Sequence, residues 1–533
     1  MIKNKFFSFF ISCSFALPLL LTGCKNNNDS IATKPVNYEA TFIESDKTVS
    51  ETKIKVYEGP KTFTSSDKCK VSVEGQELFV YETLVNYNRQ FTWSTEDTKA
   101  PVVLFDFEGK VHMEVEINTE ETITTASLSP LAYQIPIAID GNKLSFDLEY
   151  QSNYVLTFND DYKTAIHIFT NEIEDDEITE EMAKNDDSIV YIGPGLYKAD
   201  TIPVKDNSTI YLAGGAFVYG DIHGEVVENL TIKGHGIISG DIYTRTSDTD
   251  YTVPVVLRNA KHIVLEDITF LNPAGWVINL YKCEDVKINN IKIISARQNG
   301  DGISVQSSKD VAVKGGFVRT WDDSLVVKNY PKRSNRNEHG STKNIRFEKC
   351  QVWTDLAQSM ELGYETVGVT FEDVYFKDIT VLFNYHKAVI SIHNSNNARI
   401  KNIHFDNITV ENARMGSGDG SPYLIDIQNL YSSNWSSIHT TTSLGFIEDV
   451  YINNILVLSN ASQSLVKISG CRDTRNGFDN QEEHYVKNIN INNVYIENEF
   501  LNSNSNRLEV GNFVYNLNIK NDLTTPIGAS SIF

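Results

Sequence analysis

Basic residues are scarce in this chain. Of its 533 residues, 47 are Lys or Arg and 70 are Asp or Glu, which gives a formal net charge of −23 at pH 7. Nucleic acid is bound through basic surfaces that neutralise phosphates, so this balance argues against nucleic acid as a partner. It also disfavours a polyanionic ligand, although one basic cleft could override the overall charge locally.

Cysteine is scarce as well, with six residues in total and no Cys-x-x-Cys spacing. The four that follow the N-terminal segment lie far apart in the sequence: Cys69, Cys283, Cys350 and Cys471. Structural zinc sites use closely spaced ligand pairs, so none is expected here. A disulfide in an oxidising compartment stays open, because the sequence alone cannot pair these cysteines.

Long apolar runs are confined to the N-terminus. Lys3 and Lys5 precede the apolar stretch 6–21, which is shorter than a membrane-spanning helix usually needs. No later run in the sequence is apolar enough to span a bilayer. Residues 1–24 therefore read as a targeting segment, and the polar residues 25–34 as a tether.

The end of that segment, Leu21-Thr22-Gly23-Cys24, resembles the lipobox of bacterial lipoprotein signals. The resemblance implies that Cys24 is lipidated and becomes the mature N-terminus. It predicts an outer-membrane lipoprotein, on either the periplasmic or the surface face, that contacts the membrane only through its lipid. A plain cleaved signal or a membrane helix is the alternative interpretation.

Residues 35–180 read as an all-β domain. Short alternating runs recur, separated by turn residues such as Asp140-Gly141-Asn142. Strands at this spacing predict a β-sandwich. The acidic stretch that follows, up to Asp187, is typical of a solvated linker, with room for one short helix.

From residue 189 to 533 the pattern changes to a repeat. Units of alternating β-branched residues recur at spacings of roughly 23 to 25 early on and at longer spacings later, which predicts a parallel β-solenoid. Asn recurs at the corners, where it tolerates a left-handed backbone, as in Asn289-Asn290, Asn453-Asn454 and Asn492-Asn493. A propeller blade would need a longer unit. The predicted fold class is therefore all-β, a parallel β-helix preceded by a β-sandwich, and such solenoids are commonly monomeric.

Three carboxylates stand out within the repeat. Asp301 lies in Asn299-Gly300-Asp301-Gly302, and Asp322 and Asp323 follow 21 and 22 positions later. That gap is close to one coil, and residues one coil apart stack about 4.8 Å apart. Carboxylates that splay outward from such a stack reach the separation of roughly 6.5–9.5 Å used by inverting glycosidases. Ordinary turn chemistry at Asp-Gly and Asp-Asp is the alternative.

The motifs around these carboxylates resemble the polygalacturonase family of glycoside hydrolases, which carries Asn-x-Asp-Gly and a later Asp-Asp at the same gap. The matching runs here begin at Asn272-Pro273-Ala274-Gly275-Trp276 and end with Trp321-Asp322-Asp323-Ser324-Leu325-Val326-Val327-Lys328. The upstream runs, such as Gly234-His235-Gly236, and the preceding sandwich resemble the dextranase family of the same clan. The resemblance implies a right-handed helix, no metal or other cofactor, and inverting hydrolysis of α-glycosidic bonds in a polysaccharide.

Carried over by position, Asp322 would be the general acid, and Asp301 and Asp323 the bases that activate water. The electrostatics agree with these roles. Three clustered carboxylates cannot all ionise cheaply, so one keeps a proton near neutral pH and can donate it. The other two stay anionic and can orient water.

Two departures bear on the substrate. The polygalacturonase His is missing from the corresponding segment at residues 355–359, and the basic pair Arg399 and Lys401 lies one segment late. Both departures favour a neutral α-glucan over pectic galacturonan or rhamnogalacturonan. Arg399 and Lys401 could equally belong to an ordinary coil strand, and the aromatic candidates could equally be packing residues. The candidate substrate ligands are Asn299, Lys328, Tyr364, Arg399, Lys401 and Trp276.

Two other functions stay open from the sequence. A β-helix polysaccharide lyase could use the Asp cluster to hold Ca²⁺, with a Lys or Arg as base. A non-catalytic glycan-binding surface lipoprotein would not need three clustered carboxylates. The linkage and the choice between endo and exo action are not decided by the sequence.

Overall fold

The computed structural model describes residues 39–40, 51–87, 98–245, 252–329, 340–415, 421–432, 443–459, 465–473 and 481–528. Cys24 and the targeting segment lie outside these residues. Residues Val36–Phe533 form one unit, and the regular secondary structure of its described residues is almost wholly strand. The predicted fold class, a right-handed parallel β-helix within an all-β chain, is confirmed.

Two facing sheets make up the N-terminal sandwich. One has the order β4-β3-β7-β10-β9, and the other has the order β2-β6-β12-β11-β8 with β5 also paired to β6. The strand β1 (Glu39–Ala40) precedes these sheets and belongs to neither of them. The strands of the two sheets are β2 (Lys53–Val56), β3 (Cys69–Val73), β4 (Gln76–Glu77), β5 (Tyr81–Leu84), β6 (Lys99–Glu108), β7 (Val111–Ile117), β8 (Ala126–Ser129), β9 (Ala138–Asp140), β10 (Lys143–Leu148), β11 (Asn153–Phe158) and β12 (Asp161–Asn171).

Alternation explains why these residues form a sandwich. Along β7, Val111, Met113, Val115 and Ile117 are buried while the residues between them face solvent, which is the pattern of a strand with one face in a core. A 3₁₀ turn at Leu131–Tyr133 links the two sheets, and the acidic connector contains one short helix, α1 (Glu180–Lys184). The hydroxyl of Thr179 caps α1 by accepting the amide of Met182.

The solenoid begins at β13 and adds its strands in chain order. Its first part comprises β13 (Ile189–Ile192), β14 (Gly195–Ile202), β15 (Ser208–Leu212), β16 (Ala216–Glu225), β17 (Glu228–Lys233), β18 (Ile237–Ser239), β19 (Val255–Arg258), β20 (Lys261–Glu266), β21 (Thr269–Leu271), β22 (Ile278–Tyr281), β23 (Glu284–Asn289), β24 (Lys292–Ser295), β25 (Ile303–Gln306), β26 (Lys309–Lys314), β27 (Phe317–Thr320), β28 (Leu325–Asn329), β29 (Thr342–Glu348), β30 (Gln351–Thr354) and β31 (Met360–Thr366).

Its second part comprises β32 (Thr370–Asn384), β33 (Ile390–Asn394), β34 (Arg399–Val410), β35 (Tyr423–Asn429), β36 (Phe446–Val457), β37 (Leu465–Ser469), β38 (Cys471–Arg472), β39 (Glu483–His484), β40 (Val486–Ile496), β41 (Glu499–Phe500), β42 (Leu508–Val510), β43 (Val514–Lys520) and β44 (Ile527–Gly528). Of these, β44 pairs with β1, and β38 pairs with β39.

Each full coil contributes strands to three parallel ladders. The first ladder includes β23, β26, β29 and the front halves of β32 and β34. The second includes β24, β27 and β30 and the back halves of β32 and β34. The third runs through β22, β25, β28, β31, β33 and β35.

Stacked aliphatic residues fill the solenoid. In the first ladder Ile263, Val286, Val311 and Ile345 lie opposite one another in successive coils, each at most 1% exposed. Burying a side chain of this kind stabilises the fold by about 1.5–3 kcal/mol. Cys283 and Cys350 belong to this core, and all four cysteines of the described residues are free thiols.

The corner asparagines adopt the left-handed backbone that the sequence predicts. Asn290, Asn454 and Asn493, the second member of each Asn pair, have φ of 45°, 56° and 56°. Their side chains also stack between coils: Asn493 Nδ2 donates to Asn454 Oδ1 at 3.1 Å. Within the described residues, no helix is long and apolar enough to cross a membrane.

Candidate active site

The three predicted carboxylates lie on two turns that connect the second ladder to the third. Asp301 is in the turn between β24 and β25, and Asp322 and Asp323 are in the turn between β27 and β28. Ile303 pairs with Leu325, so Asp301 and Asp323 occupy the same corner of consecutive coils. The amide of Gly302 donates to the Asp323 carbonyl at 2.9 Å, which extends the ladder into the turns.

A row of buried, hydrogen-bonded hydroxyl groups fixes the Asp322–Asp323 turn. Thr320 Oγ1 donates to the Asp322 carbonyl at 2.6 Å and lies 2.6 Å from Ser324 Oγ. Ser324 Oγ continues to Thr354 Oγ1 at 2.8 Å. Because these groups satisfy one another away from water, the turn has a fixed geometry.

The three carboxylates differ in exposure. Asp301 and Asp323 are buried at 2% and 9% exposure, whereas Asp322 is half-buried. Burial, with the charge of Asp301, raises the pKa of Asp322 to about 7. Burial and the charges of Asp322 and Asp301 also raise the pKa of Asp323. Two raised pKa values on adjacent carboxyls mean that the pair retains a proton near neutral pH.

Backbone amides hold both members of the pair. The Asp323 amide donates to Asp322 Oδ1 at 3.0 Å, and the Gln358 amide donates to Asp323 Oδ1 at 3.2 Å. Asp323 is thus fixed toward the next coil, while Asp322 remains the more accessible carboxyl. Of the pair, Asp322 is better placed to meet a ligand and give up the proton.

Lys328 balances the negative charge of the cluster. Its Nζ is 2.5 Å from Asp301 Oδ2 and 4.0 Å from Glu365 Oε2, and it is 4.4 Å from the centre of the Trp276 ring. Burial disfavours the ammonium form, but Asp301 and Glu365 outweigh it and raise the pKa of Lys328. Lys328 therefore stays charged and holds the Asp301 carboxylate in place.

The third ladder continues away from the carboxylates as an acidic column. Glu361, Ser391 and Asp426 are the outward residues that face one another on β31, β33 and β35. His393 Nδ1 is 2.9 Å from Glu361 Oε1, and its Nε2 is 3.2 Å from Asp426 Oδ2. Burial disfavours the imidazolium, but Glu361 and Asp426 outweigh it, so the pKa of His393 lies well above its usual value.

Tyr364 lies over this column. Its ring stacks on His393 with centroids 4.1 Å apart and planes 7° apart. Tyr364 itself is half-buried, and it sits next to Glu365, which is 4.0 Å from Lys328. One face of the ring is thus occupied by the imidazole, and the ligand-stacking role of Tyr364 stays a prediction.

Two further candidate ligands, Trp276 and Asn299, lie next to the site. Trp276 is 3% exposed, with Lys328 against its ring, so it packs beneath the site rather than offering an open platform. Asn299 has a left-handed backbone with φ of 48°, and its Oδ1 accepts a hydrogen bond from Arg245. Both residues therefore support the turns that carry the carboxylates.

Arg399 and Lys401 are not brought to the carboxylates. Both lie on the front half of β34 in the first ladder, whereas the carboxylates lie between the second ladder and the third. Arg399 Nε donates to Glu448 at 2.8 Å, and Lys401 Nζ is 2.8 Å from Glu372. Alternation points both side chains outward from the coil, where acidic residues of neighbouring coils pair with them.

The structure adds four residues that the sequence did not single out: Gln358, Glu361, Lys387 and Asp426. Lys387 is half-buried, and its positive charge lowers the pKa of Asp322. Glu361 is flanked by two core residues in Met360-Glu361-Leu362, which is the signal that could have revealed it. A charge between two inward positions must point outward, on the same ladder as Lys328.

Residues 215–479 match the model of glycosyl hydrolases family 28. An exopolygalacturonase of Platanus acerifolia is 27% identical over 112 residues, 19% of this chain and 30% of that protein. An exopolygalacturonase of Zea mays is 23% identical over 289 residues, 50% of this chain and 66% of that protein. The chain thus spans no more than 66% of either relative.

Among solved structures, Dex49A from Penicillium minioluteum is similar in fold, with a TM-score of 0.57 at 13% identity. The match covers 87% of this chain and 96% of that one. A match over 87% of the chain is longer than the solenoid alone, so the likeness in fold includes residues that precede the solenoid. The family model, by contrast, begins only at residue 215. Residues 215–479 are thus similar to glycosyl hydrolases family 28, the family that the motifs around Asp301 and Asp322 resemble, and the likeness to Dex49A shows a shared fold.

Proposed function

We propose that the protein hydrolyses α-glycosidic bonds of a polysaccharide with inversion at the anomeric carbon. Asp322 is the general acid, and Asp301 and Asp323 are the bases. The observation that carries the proposal is the carboxylate cluster itself: three side chains on one corner of consecutive coils, with a proton retained on the Asp322–Asp323 pair near neutral pH. An acid and a base must coexist at the working pH, and this cluster supplies both.

In the proposed reaction, the protonated Asp322 carboxyl gives its proton to the glycosidic oxygen. The bond between that oxygen and the anomeric carbon breaks, and the leaving sugar departs as an alcohol. Asp301 and Asp323 accept a proton from a water molecule whose oxygen attacks the anomeric carbon from the opposite face. One water is consumed and one new reducing end forms. The base releases the proton it accepted to the solvent, and Asp322 takes one proton back from the solvent.

The substrate proposed is a neutral glycan rather than a uronate polymer. Outward from the carboxylates, the third ladder presents Glu361 and Asp426 with the protonated His393 between them. A uronate carboxylate bound there would meet two carboxylates against one cation. Hydroxyl groups suit such a site better, since they donate to carboxylates without carrying charge. A neutral α-glucan fits this chemistry, with pectic galacturonan as the alternative.

The test is a polysaccharide panel that reads reducing ends and the anomer of the first product by NMR. Dextran and other α-glucans are compared with polygalacturonan and rhamnogalacturonan. We expect release from a neutral α-glucan, with the β-anomer appearing first. Retention of configuration, or activity that survives Asp322→Asn, would overturn the mechanism. Cleavage of uronate polymers alone would overturn the neutral substrate and point to Lys387 as the carboxylate ligand.

We further propose that the protein is an outer-membrane lipoprotein anchored through Cys24. The Leu21-Thr22-Gly23-Cys24 motif after a short apolar stretch supports this location. Cells labelled with a radioactive fatty acid should incorporate label into the wild-type chain and not into a Cys24→Ser variant. Label in that variant would contradict the proposed anchor.

A further inference from the structure

The N-terminal sandwich packs on the second ladder beside the two turns that carry Asp301, Asp322 and Asp323. These two turns are called the catalytic turns. One apolar cluster is shared between the sandwich and the second ladder. It contains Tyr81, Val85, Val102 and Phe169 from the sandwich and Ile294, Phe317 and Trp353 from β24, β27 and β30. The sandwich therefore packs against β24 and β27, the strands that precede the turns with Asp301 and Asp322.

We propose that the sandwich belongs to the catalytic apparatus, because Asn86 and Tyr87 position the two turns that carry Asp301 and Asp322. Asn86 and Tyr87 are positioning residues, since neither touches the carboxylates. The inference rests on the proposed function for its kinetic readout, and it has a second readout that needs no substrate.

Asn86 holds the first turn. Its Nδ2 donates to the carbonyl of Ala296 at 3.1 Å, and both residues are only 2% exposed. Ala296 begins the turn that leads to Asp301. A buried carbonyl that loses its donor costs about 1–3 kcal/mol, so this contact constrains the path of the turn.

Tyr87 holds the second turn through Arg319. The Tyr87 hydroxyl donates to the Tyr162 carbonyl and accepts a hydrogen bond from Arg319 Nη2 at 2.5 Å. Arg319 is 1% exposed, and its Nε donates to Asp355 Oδ2 at 3.2 Å. The guanidinium is thus fixed between the sandwich and the next coil of the solenoid.

His167 completes the sandwich's hold on Arg319. Its Nδ1 is 3.2 Å from the Pro101 carbonyl, and its Nε2 is 3.1 Å from Arg319 Nη1. Burial and the charge of Arg319 keep the pKa of His167 well below its usual value. The neutral imidazole therefore donates at Nδ1 and accepts from Arg319 at Nε2.

Arg319 connects these sandwich contacts to the turn that carries the Asp322 carboxyl. It lies on β27, three residues before Asp322, on the strand that ends at Thr320. The amide of Trp321, between Arg319 and Asp322, donates to the Ser295 carbonyl at 2.8 Å and so joins the second turn to the first. Loosening Arg319 therefore changes where Asp322 sits relative to Asp301.

A matched contact elsewhere on the same interface supplies the control. Asn412 Nδ2 donates to the Tyr162 hydroxyl at 2.7 Å, again between the sandwich and the solenoid. Asn412 follows the back half of β34, so this contact does not involve the catalytic turns. Tyr162→Phe and Tyr87→Phe each remove one hydroxyl from the interface, and only Tyr87→Phe removes the partner of Arg319.

The experiment measures both variants in the full chain. Tyr87→Phe should lower kcat by about 10- to 100-fold with KM little changed, because misplacing a catalytic group slows the chemical step. It should also move the basic limb of the kcat/KM profile to lower pH. The charge of Asp301 raises the pKa of Asp322, the charges of Lys328 and Lys387 lower it, and Asp323 shares the proton of Asp322. Moving Asp322 away from Asp301 therefore lowers the pKa of Asp322. Tyr162→Phe should leave kcat and the limb in place.

Hydrogen–deuterium exchange gives the readout that is independent of activity. Amides of residues 295–302 and 319–324 should exchange faster in Tyr87→Phe than in Tyr162→Phe. Equal exchange at these turns in the two variants overturns the inference. So does an unchanged kcat in Tyr87→Phe when the wild type is active. A wild type inactive on every glycan would instead count against the proposed function, while the exchange data still decide the positioning role.

Discussion

Asp322 differs from the carboxylates beside it in exposure rather than in chemistry. Asp301 is paired with Lys328, and the buried Asp323 accepts a hydrogen bond from the Gln358 amide, whereas Asp322 is half-buried and accepts a hydrogen bond from the Asp323 amide. A carboxyl in that position keeps its proton to higher pH than an ordinary Asp. Because Asp323 shares the proton but is buried, the difference in exposure makes Asp322 the carboxyl that can give the proton to a ligand.

Replacing Asp322 by Asn should abolish turnover without unfolding the protein. Removing a general acid costs about 10²–10⁴-fold in rate, so kcat should fall by at least about 10²-fold while the melting temperature holds or rises. Reducing-end assays and thermal unfolding check this. Asp310→Asn is the matched control, because Asp310 is exposed and lies on the first ladder, where it accepts a hydrogen bond from Asn344 Nδ2 at 2.7 Å. Comparable losses in both variants would contradict the acid role.

Lys328 tunes the pH range of the same carboxyl. Activity requires protonated Asp322, so it should fall as pH rises through about 7. Lys328 lowers the pKa of Asp322, so Lys328→Met should raise that pKa and move the basic limb of kcat/KM to higher pH, alongside a lower kcat.

Lys328→Arg, which keeps the charge, should leave the basic limb near its wild-type position. Breaking a buried ion pair costs about 3–5 kcal/mol, so both variants are assayed well below their measured melting temperatures. A limb that moves to lower pH in Lys328→Met would contradict the sign of the interaction.

At the scale of single coils, the sequence predicts the strands and corners well because each coil repeats one physical pattern. Alternating β-branched residues fill the core, and Asn takes the left-handed corner, as at Asn290 and Asn454. The repeat also fixes which residues share a corner, which is why Asp301 and Asp323 could be aligned. This prediction from spacing fails where inserted residues make a coil longer.

Lengthened coils explain what the sequence missed. Leu325 pairs with Met360 across a coil that includes residues 330–339, so counting cannot carry the register from Lys328 to Glu361. Arg399 shows the reverse problem, because a basic residue near the expected place lies on another ladder and pairs with Glu448. Spacing predicts neighbours only where insertions are absent.

The corner asparagines allow a test of the coil itself. Asn454 combines a φ of 56° with an Nδ2 hydrogen bond to Asn407 Oδ1 at 3.0 Å. Asn454 Oδ1 also accepts from Asn493 Nδ2, so Asn454→Ala loses both of these hydrogen bonds and the tolerance of this backbone, whereas Asn454→Gly loses only the two hydrogen bonds. We expect the Ala variant to be less stable than the Gly variant by about 1–2 kcal/mol in urea unfolding. Equal stability, or a more stable Ala variant, would mean that backbone strain is not what selects Asn there.

At the scale of the whole molecule, the sandwich and the solenoid are joined by contacts that no local pattern predicts. Tyr87 and Arg319 are 232 positions apart, and Ser129 and Glu411 are 282 apart. The sequence predicts each domain separately, because each has its own alternation. It does not reveal their interface, since a buried Arg or Glu reads as a surface residue until its distant partner is known.

Glu411 makes this interface sensitive to pH. Ser129 Oγ and the Leu131 amide both donate to its carboxylate at 2.6 Å, yet burial outweighs them and raises the pKa of Glu411 from 4.5 to about 7. The folded state thus binds more protons than the unfolded state across this window. The contribution of Glu411 to the free energy of unfolding is fully present below pH 4.5 and is lost as pH rises through 7. The loss amounts to up to about 3 kcal/mol.

Glu411→Gln should remove this dependence. The variant should melt near the wild-type temperature at pH 5 and above it at pH 8, when measured by thermal unfolding at matched ionic strength. Ser129→Ala is the companion variant: the Ser129 hydrogen bond lowers the pKa of Glu411, so its loss raises that pKa and enlarges the loss of stability at high pH. A wild-type advantage over Glu411→Gln that grows with pH would mean that the ionised Glu411 stabilises the interface, contrary to the burial argument.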